Sequence, residues 1–155
     1  MRNSDVYRYP QYYSIGYRWN TEAECDFIEA CLKAHGPPEA KRPLDSPASG
    51  GVARGRPKRA ERVEGRLLDI CCGAGRHLMT LATLGYDMTG VDVSHEMIAY
   101  IEEAAQREGL TLEASVGDLR HLTLTGTHDA AFCFMDTFRF LLTNEEIIAH
   151  LRAVA

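Results

Sequence analysis

What this sequence lacks narrows its function before anything it contains. No apolar run approaches the roughly 18–20 residues that a membrane-spanning helix needs, which argues against a membrane protein. There is no excess of positive charge. The chain carries 17 Lys and Arg against 22 Asp and Glu, a net charge of −5 with an isoelectric point near 5.7, and so offers no overall attraction to nucleic acid or an anionic membrane. The opening Met1-Arg2-Asn3-Ser4-Asp5 leads into tyrosines without the apolar core of a secretory signal. Metal-type cysteine spacing is absent too. The five cysteines (Cys25, Cys31, Cys71, Cys72, Cys133) are odd in number and form no C-x-x-C pair, which suits neither a disulfide framework nor a zinc site. The expectation is reduced, buried thiols in a cytoplasmic protein that holds no metal. What remains, 155 residues of which 45% are hydrophobic, suits one globular domain.

Three segments are expected along the chain: residues 1–35, 36–65 and 66–155. The first is aromatic (Tyr7, Tyr9, Tyr12, Tyr13, Tyr17, Trp19) and leads to a helix. Thr21-Glu22-Ala23-Glu24 reads as its capping box, and Ala23, Phe27, Ile28, Cys31 and Leu32 recur as one apolar face. The aromatics are expected to pack that helix against a sheet, or to close over a ligand as a lid. From Gly36 to Gly65, proline, glycine, serine and basic residues predominate and bulky apolar residues nearly vanish, the composition of a flexible linker. After Gly65 strands and helices alternate, which predicts a parallel sheet with right-handed crossovers. Ser94 and Thr143 should cap helices, and Ala130–Met135 should be a strand covered on both faces.

Chemistry concentrates where the first strand hands over to a helix, at Asp69-Ile70-Cys71-Cys72-Gly73-Ala74-Gly75. The two glycines let a ligand approach the backbone, and the free N–H groups of the following helix favour a phosphate or a carboxylate. A dinucleotide fingerprint would need glycine at position 78, where this chain has Leu78. Asp92, ending the second strand, is placed to accept bonds from ribose hydroxyls, a feature common to several nucleotide-like cofactors. His77, His95, His121 and His128 are scattered and need no chemistry to explain them.

The series resembles one family. Leu67-Leu68-Asp69-Ile70-Cys71-Cys72-Gly73-Ala74-Gly75 is similar to motif I of the class I S-adenosylmethionine-dependent methyltransferases, with Cys71 in place of a glycine. Gly90-Val91-Asp92-Val93-Ser94-His95-Glu96-Met97, Gly117-Asp118-Leu119 and His128–Met135 resemble the signatures that follow it in the family. The resemblance covers residues 67–155 and implies a Rossmann-like α/β sheet, with parallel strands 3-2-1-4 present and strands 5-7-6 missing. It implies S-adenosylmethionine as cofactor, held by Asp69, Cys71, Gly73, Gly75, Asp92, Val93, Met97, Gly117, Asp118, Leu119 and Met135. Within that set Asp69 would hold the amino group, Asp92 the ribose, and Asp118 with Leu119 the adenine, with Met97 either beside it or in the core.

On the acceptor side, Asp136 is the candidate base or polar anchor, or else a turn residue. The chain lacks the D/N-P-P-Y/F motif of amino-methylating nucleic-acid enzymes and the Pro-Cys nucleophile of cytosine C5 enzymes, so the expected acceptor is a small molecule. Ending after a fourth strand, the chain is expected to be incomplete, with an apolar strand edge open to association. Two alternatives remain at this point: a nicotinamide-dependent oxidoreductase, and a non-catalytic methyltransferase-like binding module.

Overall fold

In the computed structural model the described residues are 5–17, 20–37 and 65–155; Trp19 and the expected linker from residue 38 to 64 lie outside them. Two helices, α1 (Pro10–Gly16) and α2 (Thr21–His35), precede the sheet. Then strands and helices alternate: β1 (Arg66–Ile70), α3 (Arg76–Thr83), β2 (Asp87–Asp92), α4 (His95–Glu108), β3 (Glu113–Val116), β4 (Ala130–Phe132) and α5 (Asn144–Val154). The sheet is parallel throughout in the order β3-β2-β1-β4, as expected. No described helix is long and apolar enough to cross a membrane.

β1 is buried from Leu67 to Ile70 because both faces of the sheet are covered. One face carries Leu67 and Met88 under α2, α3 and α4, through Ile28, Leu32, Leu78, Leu81, Ile98 and Ile101. The other carries Leu68, Ile70 and Val91 under Leu119, Leu141 and α5 residues Ile147 and Val154. The adjacent Cys72 and Cys71 divide between these clusters, Cys72 on the α3 side and Cys71 on the α5 side.

Two of the three expected caps form. Ser94 Oγ accepts from the Met97 N–H at 3.3 Å, and Thr143 with Glu146 makes a complete capping box on α5. Thr143→Ala should therefore cost about 1 kcal/mol in urea unfolding, the usual weight of such a cap. At α2 the expectation fails. The cap position is Asn20, in the left-handed region, and no side chain caps the helix. Thr21 Oγ1 instead accepts from Arg76 Nη1 at 3.1 Å, while Glu24 Oε2 meets Arg76 Nη2 at 2.6 Å and His77 Nε2 at 2.7 Å. A guanidinium and an imidazole offer stronger charge-assisted partners than the helix's own N–H groups, so the box residues clamp α2 to α3. The buried face of α2 is Cys25, Ile28 and Leu32; Phe27 is 62% exposed and Cys31 is exposed.

β4 also differs from expectation. It is a three-residue edge strand with Ala131 exposed, and the chain turns at Met135 and Asp136, both in the left-handed region. Among the described residues only β1 pairs with it, so its other edge is open.

Candidate functional site

The carboxyl ends of β1 and β2 meet at the loop 71–75, where Cys71, Gly73 and Gly75 all have positive φ (61°, 55° and 76°). Asp92 fastens this loop. Its Oδ2 accepts from the Gly73 N–H at 2.8 Å and its Oδ1 from the Ser94 N–H at 2.9 Å, so one carboxylate joins the β1 loop to the start of α4. Each carboxylate oxygen keeps a further lone pair for a hydroxyl. The glycines are required by their neighbours. A Cβ on Gly75 would lie 2.7 Å from Ile101 Cγ1, and one on Gly73 would come 3.2 Å from the Tyr13 ring.

Asp69 lies beneath the loop, 2% exposed, and its Oδ2 has no hydrogen-bond partner among the described residues. Burial pushes its carboxyl well above the usual carboxylate range, the nearby Cys133 and Asp92 adding to the rise while Arg76 opposes it. An orphaned buried carboxylate oxygen is costly and uncommon, and its residue lies on the wall of a cavity. That cavity measures about 40 Å³ and is lined by Tyr13, Tyr17, Asp69, Arg76, His77 and Phe134, with Cys71 and Met135 also on its wall. Several hundred Å³ is usual for a small-molecule site, so the space is closed to anything much larger than water. The closure comes from α1: the Tyr13 and Tyr17 rings stack at 4.4 Å, with Tyr7 against Tyr13 at 5.6 Å. Desolvation raises the Tyr13 hydroxyl to about 12, which keeps it a neutral donor.

Of the residues expected at the site, Asp69, Cys71, Gly73, Gly75, Asp92 and Met135 come together around this loop and cavity. The others are dispersed. Met97 is fully buried and faces the core. Val93 is 61% exposed. Gly117 donates its N–H to the Asp92 carbonyl at 2.9 Å, and a Cβ there would strike Val91 Cγ1 at 2.6 Å. Asp118 opens a short 3-10 turn and accepts from the Arg120 N–H and from the Arg120 guanidinium, which lowers its carboxyl to about 2. Leu119 is buried, and its carbonyl accepts from His150 Nδ1 at 3.0 Å. Asp136 is exposed, ion-paired with Arg139 at 2.9 Å, and off the cavity wall.

Sequence reasoning missed Arg76 and His77. His77 is buried, donating to Glu24 and stacked near Phe134 at a ring separation of 4.8 Å; desolvation lowers its pKa. The position of Arg76, directly after the last loop glycine at the start of α3, was a usable signal. For His77 there was none, because its partners are 53 and 57 residues away.

Leu78, which breaks the dinucleotide fingerprint, is fully buried, and the glycine that accommodates it is Gly90 on β2. A Cβ there would lie 2.8 Å from Leu78 Cδ2. Close helix–strand packing is thus achieved with the glycine on the strand.

The fold and loop recur in known proteins. The family model described as a methyltransferase domain matches residues 67–155. YqeM of Bacillus subtilis, named as a methyltransferase, is 30% identical over 92 residues, 59% of this chain and 37% of its own length. Among solved structures, an S-adenosylmethionine-dependent methyltransferase from Clostridium acetobutylicum superposes with a TM-score of 0.64 at 17% identity, over 97% of this chain and 52% of that one. CalS10 of Micromonospora echinaspora, an amino pentose methyltransferase solved with S-adenosylmethionine bound, gives 0.62 at 26% identity, over 92% and 49%. The chain spans about a third of the length of the curated relatives it matches. By its matched domain and its 3-2-1-4 sheet, the chain belongs to the class I S-adenosylmethionine-dependent methyltransferase family.

Proposed function

We propose that this chain forms the cofactor-binding half of a methyltransferase that acts on a small-molecule acceptor. One observation carries the reading: Asp69, whose buried Oδ2 has no partner among the described residues, lines the cavity at the glycine loop, where a cationic amino group would satisfy it. When bound, S-adenosylmethionine supplies an activated methyl group on a sulfonium. The chain's own part is to position. Asp69 would hold the amino group, and the backbone at Gly73, bared once Tyr13 moves aside, would let the methionine portion pass, while Gly75 lets the loop pack on Ile101. Asp92 would accept from the ribose hydroxyls while keeping its two backbone bonds. Asp118 and Leu119 would meet the adenine, with Asp118 turning from Arg120 to do so. Met97 and Val93 flank the same β2–α4 corner, one in the core and one outside.

Admitting the cofactor requires Tyr13 and Tyr17 to give way, so α1 serves as a lid that reseals the site and excludes water. Arg76, at the start of α3 and on the cavity wall, is placed for the cofactor carboxylate. Asp136 would act as base or acceptor anchor only after leaving Arg139. Leu78 against Gly90 and the orphan carboxylate both disfavour a nicotinamide, whose pyrophosphate would gain nothing from Asp69. The small-molecule acceptor draws support from the amino pentose substrate class in CalS10's name and from the missing nucleic-acid motifs. The open β4 edge leaves room for the alternative of a non-catalytic module that pairs with a partner there.

Isothermal titration calorimetry tests the cofactor reading. The chain should bind S-adenosylhomocysteine and show no heat with NADH; binding of NADH alone would overturn the proposal. For the acceptor, the label of methyl-labelled S-adenosylmethionine should pass to small amines or hydroxyl compounds. Label passing instead to RNA, DNA or protein would refute the small-molecule assignment.

A further inference from the structure

Cys71 and Cys133 are the first residues beyond the carboxyl ends of the adjacent parallel strands β1 and β4. The register continues with Cys133 opposite Ile70, so Cys71 stands one residue further on; a strand spacing of about 4.8 Å and a rise of about 3.3 Å put such a diagonal pair about 6 Å apart, within the Cα separation of about 4.4–6.8 Å that a disulfide bridges. Both side chains pack on the same apolar cluster with Ile70 and Leu141. Both are half-buried rather than sealed in the core, in contrast to Cys25 and Cys72. Cys71 also lines the cavity beside Asp69 and is held at φ 61°, a conformation that glycine tolerates better.

We propose that Cys71 and Cys133 are a reversible oxidation site, at which a disulfide formed by a hydroperoxide ties the glycine loop to the end of β4 and weakens cofactor binding. The pair is polarised for this. The Cys71 thiol beside it, and with it the Phe138 N–H, hold the Cys133 thiol below its ordinary value, which makes Cys133 the attacking thiolate. The Cys133 thiolate attacks the peroxide oxygen; the O–O bond breaks, leaving a sulfenic acid and hydroxide. The Cys71 sulfur then attacks the sulfenic sulfur, the S–S bond forms, and the hydroxyl leaves as water once protonated. Overall two thiols and one hydrogen peroxide give one disulfide and two waters. The bond would draw the Cys71 side chain toward β4 and fix the loop that carries Gly73 and Gly75.

The effect on affinity rests on the cofactor reading above; formation of the bond does not. The test uses the full chain carrying Cys31→Ser, treated with hydrogen peroxide and digested without reductant. Mass spectrometry should find the Cys71 and Cys133 peptides joined, and separated by dithiothreitol. Calorimetry on the same samples should show S-adenosylhomocysteine binding weakened about tenfold on oxidation, within the usual range of coupling between sites, and restored by reduction. By reciprocity, bound S-adenosylhomocysteine should make the pair harder to oxidise by about 30 mV, that tenfold converted for two electrons. Cys133→Ser, and Cys133→Ala as a check on folding, should keep their affinity through peroxide treatment. Absence of the joined peptide, with Cys133 going on to sulfinic acid, would overturn the proposal. A joined peptide with unchanged affinity would overturn its effect on the cofactor. Failure of the reduced protein to bind S-adenosylhomocysteine would count against the cofactor reading, leaving the oxidation site to be judged on the peptide alone.

Discussion

Asp69→Asn is expected to weaken S-adenosylhomocysteine binding roughly 10- to 150-fold while making the ligand-free chain more stable. The first part follows from the loss of one charge-assisted hydrogen bond to an ammonium, about 1.5–3 kcal/mol. The second follows from the same atom. In the free protein Asp69 Oδ2 is buried without a partner, so its charge is a cost that asparagine removes, by about 1–2 kcal/mol near neutral pH. Opposite signs in binding and stability mark a residue kept for its ligand; a purely structural carboxylate would lose both on substitution.

The pH dependence supplies a further sign. Burial raises the Asp69 carboxyl above its unfolded value, so the folded chain holds that proton more tightly. The stability this contributes is complete below the unfolded pKa of about 3.9 and is lost as pH rises through the folded value. The stability gain of Asp69→Asn over the parent should therefore be small near pH 4, grow as pH rises, and then level off. Urea unfolding curves collected across that range measure it. A gain that shrinks with rising pH would mean that Asp69 is paired in the folded chain.

Gly75→Ala should cost about 2–5 kcal/mol in the same unfolding measurement. Two independent terms add. At φ 76° an L side chain costs about 1–2 kcal/mol, and the new Cβ would stand 2.7 Å from Ile101 Cγ1. Ile101 is fully buried and packed in the α2–α3–α4 cluster, so it cannot swing aside, and overpacking of this kind costs about 1–3 kcal/mol. Gly109 separates the two terms. Its φ of 67° is similar, but nothing lies within 4 Å of its added Cβ, so Gly109→Ala should cost only the conformational part, about 1–2 kcal/mol. Equal losses at the two glycines would refute the role assigned to Ile101.

The elements that were legible in the sequence are those whose cause is local. Ser94 and Thr143 cap helices through groups three residues on, and Leu67, Leu68 and Ile70 announce a short apolar strand. The strand order followed from the family resemblance alone. What escaped depends on residues distant in sequence. Thr21 and Glu24 look like a capping box until Arg76 and His77 arrive from more than 50 residues away. The run Ala130–Met135 looks like a long buried strand, but only three residues pair, because β1 ends at Ile70 with positive φ at Cys71 and positive φ at Met135 turns the chain away. At the site, the loop residues Asp69, Gly73, Gly75 and Asp92 were legible because motif and turn geometry coincide. Tyr13 and Tyr17, one helical turn apart, were visible as aromatics; that they close the cavity depends on how α1 docks. The tie between Asp118 and Arg120 lies two residues away, yet no pattern announced it, since an exposed arginine has many possible orientations.

The central claim is that the β1 loop, with Asp69 beneath it and Asp92 across it, is an S-adenosylmethionine site. An amide-resolved NMR titration of the full chain with S-adenosylhomocysteine tests it most directly. The account predicts saturable shifts at Gly73, Gly75, Asp92 and Asp118, accompanied by shifts at Tyr13 and Tyr17 as α1 moves, all of them much weakened in Asp69→Asn. Shifts that leave the 71–75 loop untouched, or that are the same in Asp69→Asn as in the parent, would contradict it.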